Sequence, residues 1–216
     1  MKVVKKMPIK FENRSYNFEI RAEQTEENTG LIVGRPIVYD SRTDLGYFDE
    51  IIQSGALDGA DLKDVRFLVN HDTSKIPLAR SRNNNANSTM LLAVDREGME
   101  TRINLDIENN TEARNLYSAV NRGDVSGMSF MFGVEEDEWR DLDTDHPTRI
   151  IKKISRVVEV SAVTFPAYES TSISTRNKEA LDSARATLDS VKKDKSLDSE
   201  LQLEKLKLQN RMKGVF

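Results

Sequence analysis

Histidine sets the first limit on the chemistry of this 216-residue chain, which has His71, His146 and no cysteine. The lack of cysteine excludes disulfides, thiolate metal sites and cysteine nucleophiles. Two histidines so far apart disfavour a histidine-based metal site, so we predict no metal. His71 ends a predicted strand in which Val65, Phe67 and Val69 share its face. This pattern fits either a histidine packed at the edge of a sheet or a general base.

A serine flanked by glycines is the candidate nucleophile. Ser129 opens an aromatic-rich strand, with Gly127 before it and Gly133 after it. Glycines leave room for a tetrahedral intermediate beside a nucleophilic hydroxyl. They are equally what tight strand entry and close sheet packing require. Ser126 is a competing candidate, although it falls earlier, in the preceding turn.

A carboxylate in an otherwise apolar strand is the third candidate. The segment Val157-Val158-Glu159-Val160-Ser161-Ala162 is apolar on both faces apart from Glu159 and Ser161. A buried carboxylate is costly unless a cation or hydrogen-bond donors meet it. Glu159 could therefore form a salt bridge with Arg156 or another arginine, or it could orient a histidine.

Together, Ser129, His71 and Glu159 supply the nucleophile, the base and the orienting group of a serine acyl-transfer site. The chain lacks a G-x-S-x-G elbow, which argues against an α/β-hydrolase. It also lacks the glycine motifs that bind nucleotide phosphates, so we predict no cofactor. A β-barrel binding module, in which His71 and Glu159 are structural polar residues, is a further alternative.

The hydropathy pattern predicts mostly strands. Alternating apolar residues recur along the chain, and residues 90–105 are expected to form a hairpin. Residues 111–122 have the spacing of a helix, with Asn110 or Thr111 as the cap and Gly123 after the end. Residues 49–57 could add a short helix. We therefore expect an α+β, β-rich fold: a closed or strongly curved, mainly antiparallel β-barrel with flanking helices.

The chain divides near residue 175 into a β-barrel domain, residues 1–175, and a helical tail, residues 176–216. The tail has ten Lys and Arg against seven Asp and Glu, so it carries +3 and the rest of the chain −7. Leucines and other apolar residues repeat at helical spacing along it. The tail could fold back on the core, or it could be an arm that binds a partner or pairs two chains.

Charge and hydropathy also exclude several classes of protein. The net charge of −4 disfavours nucleic-acid binding by the chain as a whole. No stretch approaches the ~18 apolar residues of a membrane helix, so we predict no membrane span. The basic N-terminal segment lacks the apolar region of a secretory signal. Residues 135–147 are rich in acids and are expected to form a solvated loop.

The order of several motifs resembles the prohead maturation proteases of tailed bacteriophages. Each motif is modest alone, but their order and spacing over residues 14–170 are specific. The motifs are Val33-Gly34-Arg35-Pro36-Ile37-Val38-Tyr39, Phe48-Asp49-Glu50-Ile51-Ile52, Gly55-Ala56-Leu57, Asn70-His71-Asp72, Pro77-Leu78-Ala79-Arg80, Gly123-Asp124-Val125-Ser126-Gly127-Met128-Ser129-Phe130, Val158-Glu159-Val160-Ser161 and Phe165-Pro166-Ala167.

This resemblance implies a serine endopeptidase related in fold to herpesvirus assemblins. Such an enzyme would cut the scaffold segment from the major capsid protein, and itself, inside the procapsid in the host cytoplasm. By motif position, Ser129 would be the nucleophile, His71 the general base and Glu159 the third member. The expected partners are the major capsid protein and its scaffold segment, with a homodimer as one arrangement and with neither nucleic acid nor membrane.

Two further points stay open at the level of sequence. The group that stabilises the oxyanion is not identifiable, and Arg80 and Arg156 are candidates because a cation stabilises developing negative charge. The alternative function is a non-catalytic virion assembly or scaffold-binding protein with the same β-core. The two functions differ in whether Ser129→Ala abolishes processing of the capsid protein.

Overall fold

The alternating segments form strands over most of the chain. The structure, a computed structural model, describes residues 11–16, 20–24, 30–46, 48–141 and 144–164, with two isolated positions, 186 and 189. The elements in these ranges are β1 (Phe11–Tyr16), β2 (Ile20–Gln24), β3 (Gly30–Val38), β4 (Arg42–Asp44), β5 (Asp49–Ile52), β6 (Asp64–Val69), β7 (Ala79–Arg82), β8 (Met90–Asp95), β9 (Gly98–Leu105), α1 (Thr111–Asn121), β10 (Gly127–Arg140) and β11 (Thr148–Val163). The predicted boundary at 175 and the predicted tail lie outside the described ranges.

A seven-stranded mixed sheet contains Ser129 and Glu159, and His71 follows the end of one of its strands. Its order is β1-β10-β11-β5-β4, with β6 also paired to β11 and β7 to β6. The 16-residue β11 is antiparallel to β10 along one edge. Its other edge is parallel to β5 at one end and to β6 at the other. Strand β11 thus pairs with three strands, β10, β5 and β6.

A second sheet of four antiparallel strands has the order β2-β3-β9-β8. Side chains from both sheets and from α1 form one core cluster. Its fully buried members include Ile32, Ile103, Phe67, Phe130 and Val160. The predicted hairpin at 90–105 is confirmed as β8 and β9. Gly98, with φ of 137°, permits this turn, because an added Cβ there would lie 2.0 Å from the carbonyl oxygen of Ile37.

The expectation of a closed or strongly curved barrel with flanking helices is wrong, although most pairings between the described strands are antiparallel as expected. Two separate sheets are present, and neither closes on itself within the part of the chain that the structure describes. Alternation in a sequence marks strands and their buried face. It does not give the direction in which β5 and β6 pair with β11. The β-rich α+β character is retained.

One helix is present among the described elements, and its predicted ends are confirmed. The side chain of Asn110 accepts hydrogen bonds from the backbone N–H groups of Glu112 and Ala113 at 3.0 and 3.2 Å. Gly123 follows the helix with φ of 80°. The short helix expected over 49–57 is wrong, because its first four residues form β5 and turns follow. No helix in the described ranges is long and apolar enough to cross a membrane.

The hairpin of β10 and β11 extends further than predicted. The acidic segment expected to be a loop over 135–147 continues β10 as far as Arg140. Its charged residues remain near the surface, where Lys152 and Lys153 pair with Glu138 and Glu135. The register shifts four times between Met131 and Asp137, so the hairpin bends between its base and its tip.

Candidate active site

Ser129 lies near the start of β10, between β1 and β11. Its Cα is paired with Ser15 on one side and with Ser161 on the other. Met128 and Phe130 point into the core, so alternation along the strand turns Ser129 to the opposite face of the sheet. The residue is nevertheless 0% exposed.

His71 is placed by a turn and not by a strand. β6 ends at Val69, and Asn70 and His71 both have the left-handed backbone, with φ of 50° and 58°. The expectation that His71 continues the face of Val65 and Val69 is therefore wrong. Non-glycine residues adopt this conformation at an energetic cost, and such positions cluster at functional sites. Here the turn carries the imidazole from the end of β6 across β11 towards β10.

Hydrogen bonds between the ends of β6 and β11 hold this turn. The backbone N–H of Asn70 donates to the carbonyl of Ala162 at 2.9 Å, which extends the ladder by one residue. The Asn70 amide donates to the Thr164 hydroxyl at 2.9 Å and accepts from the Thr164 backbone N–H at 3.0 Å. The His71 backbone N–H donates to the hydroxyl of Ser161 at 3.2 Å. These bonds compensate part of the cost of the turn.

The three predicted residues meet in one line. Ser129 Oγ lies 2.5 Å from His71 Nε2, and His71 Nδ1 lies 2.6 Å from Glu159 Oε1. Glu159 is 1% exposed and the His71 side chain is 13% exposed. Solvent therefore only weakly screens the electrostatic interaction between the imidazole and the carboxylate. A hydroxyl, an imidazole and a carboxylate in this order can move a proton from the hydroxyl to the imidazole while the carboxylate holds the ring.

Glu159 has hydrogen-bond donors in place of an arginine partner. Its second oxygen, Oε2, accepts from the hydroxyl of Ser161 at 2.5 Å. Arg156, which the sequence offered as a salt-bridge partner, approaches Asp61 at 3.7 Å. The contacts therefore fit a Glu159 that orients His71 better than a Glu159 in a salt bridge with Arg156.

Ser161 is the functional residue that the sequence analysis missed. Its hydroxyl donates to Glu159 and accepts from the backbone of His71, so it links the carboxylate to the turn. The available signal was the spacing: residues 159 and 161 are two apart on a strand and share a face. The competing serine, Ser126, lies exposed in the turn before β10.

A groove lies beside Glu159 on the same face of the sheet. It has a volume of about 290 Å³. Its apolar residues are Leu68, Pro77, Met131 and Val158, and its cationic residues are Arg66 and Lys75. Met131, Glu159 and Arg66 form one cross-strand row, next to the row of Ser129, Ser161 and Leu68. The groove thus continues the surface on which the three candidate residues meet.

The two arginines considered for the oxyanion have carboxylate partners. Arg80 donates to both oxygens of Asp64 at 2.6 and 2.8 Å, and this pairing lowers the pKa of Asp64. Arg156 lies near Asp61, as described above. Each guanidinium group therefore lies next to a carboxylate: Arg80 next to Asp64 in β6, and Arg156 next to Asp61 just before β6.

Among the described residues, one cluster at the surface has the donor atoms to hold a cation. Ligand atoms of Asp44, Asp49 and His146 all lie within 4.8 Å of one another. His146 Nε2 is 3.2 Å from Asp49 Oδ1 and 3.7 Å from Asp44 Oδ1. These contacts are as well explained by ion pairing of His146 with its acidic neighbours, and exposed groups of this kind are common without a metal.

The line of hydroxyl, imidazole and carboxylate is the arrangement that serine hydrolases use. Comparisons with known proteins narrow this class. A family described as caudovirus prohead serine protease matches residues 16–185. The chain belongs to this family, which confirms the resemblance seen in the ordered motifs.

A curated protein and a solved structure are similar to the chain. The prohead protease of Enterobacteria phage HK97 is 30% identical over 147 residues, which are 67% of this chain and 59% of that protein. This chain thus spans about 59% of the length of the relative. The solved structure of the bacteriophage T4 capsid assembly protease covers 71% of this chain and 97% of its own, with a TM-score of 0.42 and 10% identity.

Proposed function

We propose that the chain is a serine endopeptidase of phage head maturation, with Ser129 as nucleophile, His71 as general base and Glu159 as orienting carboxylate. The observation that carries the proposal is the line of contacts from Ser129 Oγ through His71 to Glu159, at 2.5 and 2.6 Å. Family membership supports the serine protease class.

The mechanism follows from the protonation of the ring. A carboxylate can only accept, and Glu159 Oε1 faces Nδ1, so Nδ1 carries the proton and Nε2 is free to accept. Nε2 takes the Ser129 proton as Oγ bonds to the scissile carbonyl carbon. When the C–N bond breaks, the proton passes from His71 to the departing amine. Water then attacks the acyl-enzyme, and His71 again accepts and returns a proton.

The groove gives the substrate a place one cross-strand row away from Ser129. Its lining includes Glu159 but neither Ser129 nor His71. A peptide bound there would rest a side chain on Leu68, Met131 and Val158, in a volume of about 290 Å³. Apolar lining of this kind stabilises an apolar side chain of the substrate. Arg66 and Lys75 at the rim are paired with Asp64 and Glu112, so we assign the recognition to the apolar floor.

The substrate that we propose is the scaffold segment of the major capsid protein, together with the protease itself. The name of the relative from phage HK97, a prohead protease, supports this choice. The enzyme would act in the interior of the procapsid in the host cytoplasm. The charged tail over residues 176–216 would connect residues 1–175 to the scaffold or to a second copy of the chain.

Co-expression with the cognate major capsid protein tests the proposal. We expect shortening of the capsid protein with the wild-type chain and none with Ser129→Ala. Ser126→Ala is the matched control, because Ser126 is an exposed serine three residues away. The Ser126→Ala variant should cleave the capsid protein at the wild-type rate. Thermal melting should show that Ser129→Ala stays folded.

The non-catalytic assembly protein remains the second candidate class. It predicts identical processing with and without the Ser129 hydroxyl. Cleavage of the capsid protein by Ser129→Ala at the wild-type rate would therefore reject the protease assignment.

A further inference from the structure

A bulge in β11 lies at the groove next to Glu159. Met131 of β10 is paired with Glu159, but the next residue, Phe132, is paired with Val157. Val158 is therefore the extra residue of the bulge, where two residues of β11 oppose one of β10. Bulges of this kind change the direction of a side chain, and they are frequent next to active sites.

The bulge interrupts the alternation of side chains along β11. Consecutive residues of a regular strand point to opposite faces, yet Val158 and Glu159 both line the groove. Met131 lines it from β10 and is half-buried, whereas its neighbours Phe130 and Phe132 are buried. The irregular backbone thus adds an apolar side chain to the groove beside the orienting carboxylate.

The pairing of the strands places the groove relative to the candidate nucleophile. Ser129 and Met131 are two residues apart on β10 and share a face, as Ser161 and Glu159 do on β11. Two residues of a strand span ~6.8 Å. An extended peptide advances by nearly the same distance over two residues. A substrate side chain in the groove would therefore belong to a residue about two positions from the cleaved bond.

The lining of the groove favours an aliphatic side chain. Its carbon surface comes from Leu68, Pro77, Met131 and Val158. The two cations at its rim are already paired with carboxylates. A carboxylate of the substrate would also lie beside Glu159, where two like charges repel each other. An aliphatic side chain buries carbon surface in the groove and leaves no charge unpaired.

We propose that the groove is a specificity subsite for an aliphatic side chain about two residues from the scissile bond, and that Met131 and Val158 determine which side chains it accepts. The inference rests on the protease function proposed above and deepens it. Met131 suits this role, because its flexible thioether chain adapts to different shapes. Val158 is held by the backbone of the bulge, so a change in its size changes the room in the groove.

The cut in the cognate major capsid protein supplies the first test. Mass spectrometry of the products of co-expression locates the cleaved bond. We expect an aliphatic residue two or three positions from that bond, and its replacement by Ala should slow processing about tenfold, because an apolar pocket loses its occupant. Its replacement by Glu should slow processing at least as much. A cleaved bond with no aliphatic residue within three positions on either side would overturn the inference.

Variants of the protease test the lining itself. Met131→Trp fills the groove, so the preference for the aliphatic substrate over its Ala variant should fall from about tenfold to about onefold, or reverse. Val158→Ala enlarges the groove, so a substrate with Phe at that position should gain severalfold relative to the aliphatic one. Leu91→Trp is the matched control, because Leu91 is exposed on β8 in the other sheet. It should keep the wild-type preference.

The ratio of the two processing rates is the quantity to compare. A ratio cancels differences in the amount of folded protease between variants. If thermal melting shows that Met131→Trp does not fold, the smaller change Val158→Ala decides the test, because it removes two methyl groups and adds none.

The outcomes separate the two proposals. If the wild type cleaves the capsid protein through Ser129 while Met131→Trp and Val158→Ala keep the wild-type preference, the subsite is rejected and the protease function stands. Faster processing of the Glu substrate than of the aliphatic one would also reject the subsite. If cleavage persists in Ser129→Ala, the protease function is rejected, and the subsite with it.

Discussion

The hydroxyl of Ser161 connects two parts of the candidate site that come from different strands. It donates to Glu159 within β11 and accepts from the backbone of His71 at the end of β6. One atom thus fixes both the carboxylate and the turn that carries the imidazole. Groups that hold an orienting carboxylate affect the rate without touching the substrate, so Ser161 is a positioning residue.

Replacement of this hydroxyl should lower the rate of catalysis selectively. In Ser161→Ala, Glu159 loses the donor at Oε2, and the turn loses one acceptor. We expect kcat to fall about tenfold with little change in KM, because a charge-assisted bond of roughly 1.5–3 kcal/mol is lost from the orienting group. Steady-state cleavage of a peptide from the capsid scaffold segment measures this.

The conservative variant is the control. Ser161→Thr keeps a hydroxyl at the same position and should recover most of the wild-type kcat. If Ser161→Ala instead leaves kcat unchanged while it lowers the melting temperature, Ser161 has a structural role alone.

The sequence indicated the residues of the site better than their contacts. Ser129, His71 and Glu159 were predicted from residue type and motif, and the structure brings them together. Ser129 Oγ also lies 2.7 Å from the carbonyl oxygen of Arg14, a contact that could not be predicted because a backbone group has no sequence signature. The left-handed turn at Asn70 and His71 was also missed, since alternation with Val65 and Val69 suggested a longer strand.

At the scale of elements, β1 is held by a buried ionic cluster. Arg14 donates to Glu50 at 2.5 and 2.8 Å, and Arg149 of β11 donates to Glu12 at 2.7 Å and to Glu50 at 3.2 Å. Burial would raise the pKa of Glu12, but Arg14 and Arg149 outweigh it and lower the pKa from 4.5 to about 2. A carboxyl group whose pKa is lowered on folding stabilises the fold above its unfolded pKa. That contribution is lost as the pH falls from about 4.5 to about 2.

The pH dependence of stability should therefore change in Glu12→Gln. Above pH 5 we expect the variant to have a free energy of unfolding lower than the wild type by about 3 kcal/mol, the order of magnitude of the shift in pKa. Near pH 2 the difference should become small. Urea denaturation at several pH values, followed by circular dichroism, measures both limits.

An exposed glutamate provides the comparison for this measurement. Glu108→Gln changes the same group at an exposed position, so its difference from the wild type should be close to zero at each pH. A Glu12→Gln difference that stays constant from pH 7 to pH 2 would show that the ionic cluster does not hold Glu12 in its charged form.

The elements were predicted better than their arrangement. The helix at 111–122 and the hairpin at 90–105 depend on local signals, namely a cap and a turn, and both are confirmed. The barrel was wrong because the described strands form two separate sheets that do not close, and β11 takes β5 and β6 as parallel partners on the same edge. Parallel pairing is set by connections far apart in the chain, and those leave no periodicity in the sequence.

At the scale of the whole molecule, charge is distributed unevenly along the chain. The first 175 residues carry −7 and the last 41 carry +3. Opposite charges on the two parts favour association through the tail, either with the chain itself or with an acidic partner. This distribution is the basis for the proposed tether.

Deletion of residues 176–216 tests the tether. We expect the truncated chain to melt within a few degrees of the full chain and to cleave the capsid protein in solution. Its incorporation into proheads should fall severalfold, because the cationic arm is lost. A tail of the same composition in scrambled order is the control that separates charge from pattern. Normal incorporation of the truncated chain would contradict the tether.

The hairpin of β10 and β11 has a consequence for how such a protein can diverge. Ser129 and Glu159 lie at its base, while the tip, where Arg140 pairs with Thr148, is about eleven residues away. At ~3.4 Å per residue, the tip lies at most ~37 Å from the base along the strand, and the bend shortens the direct distance. Insertions at the tip could accumulate in one phage lineage after another while the chemistry at the base is inherited unchanged.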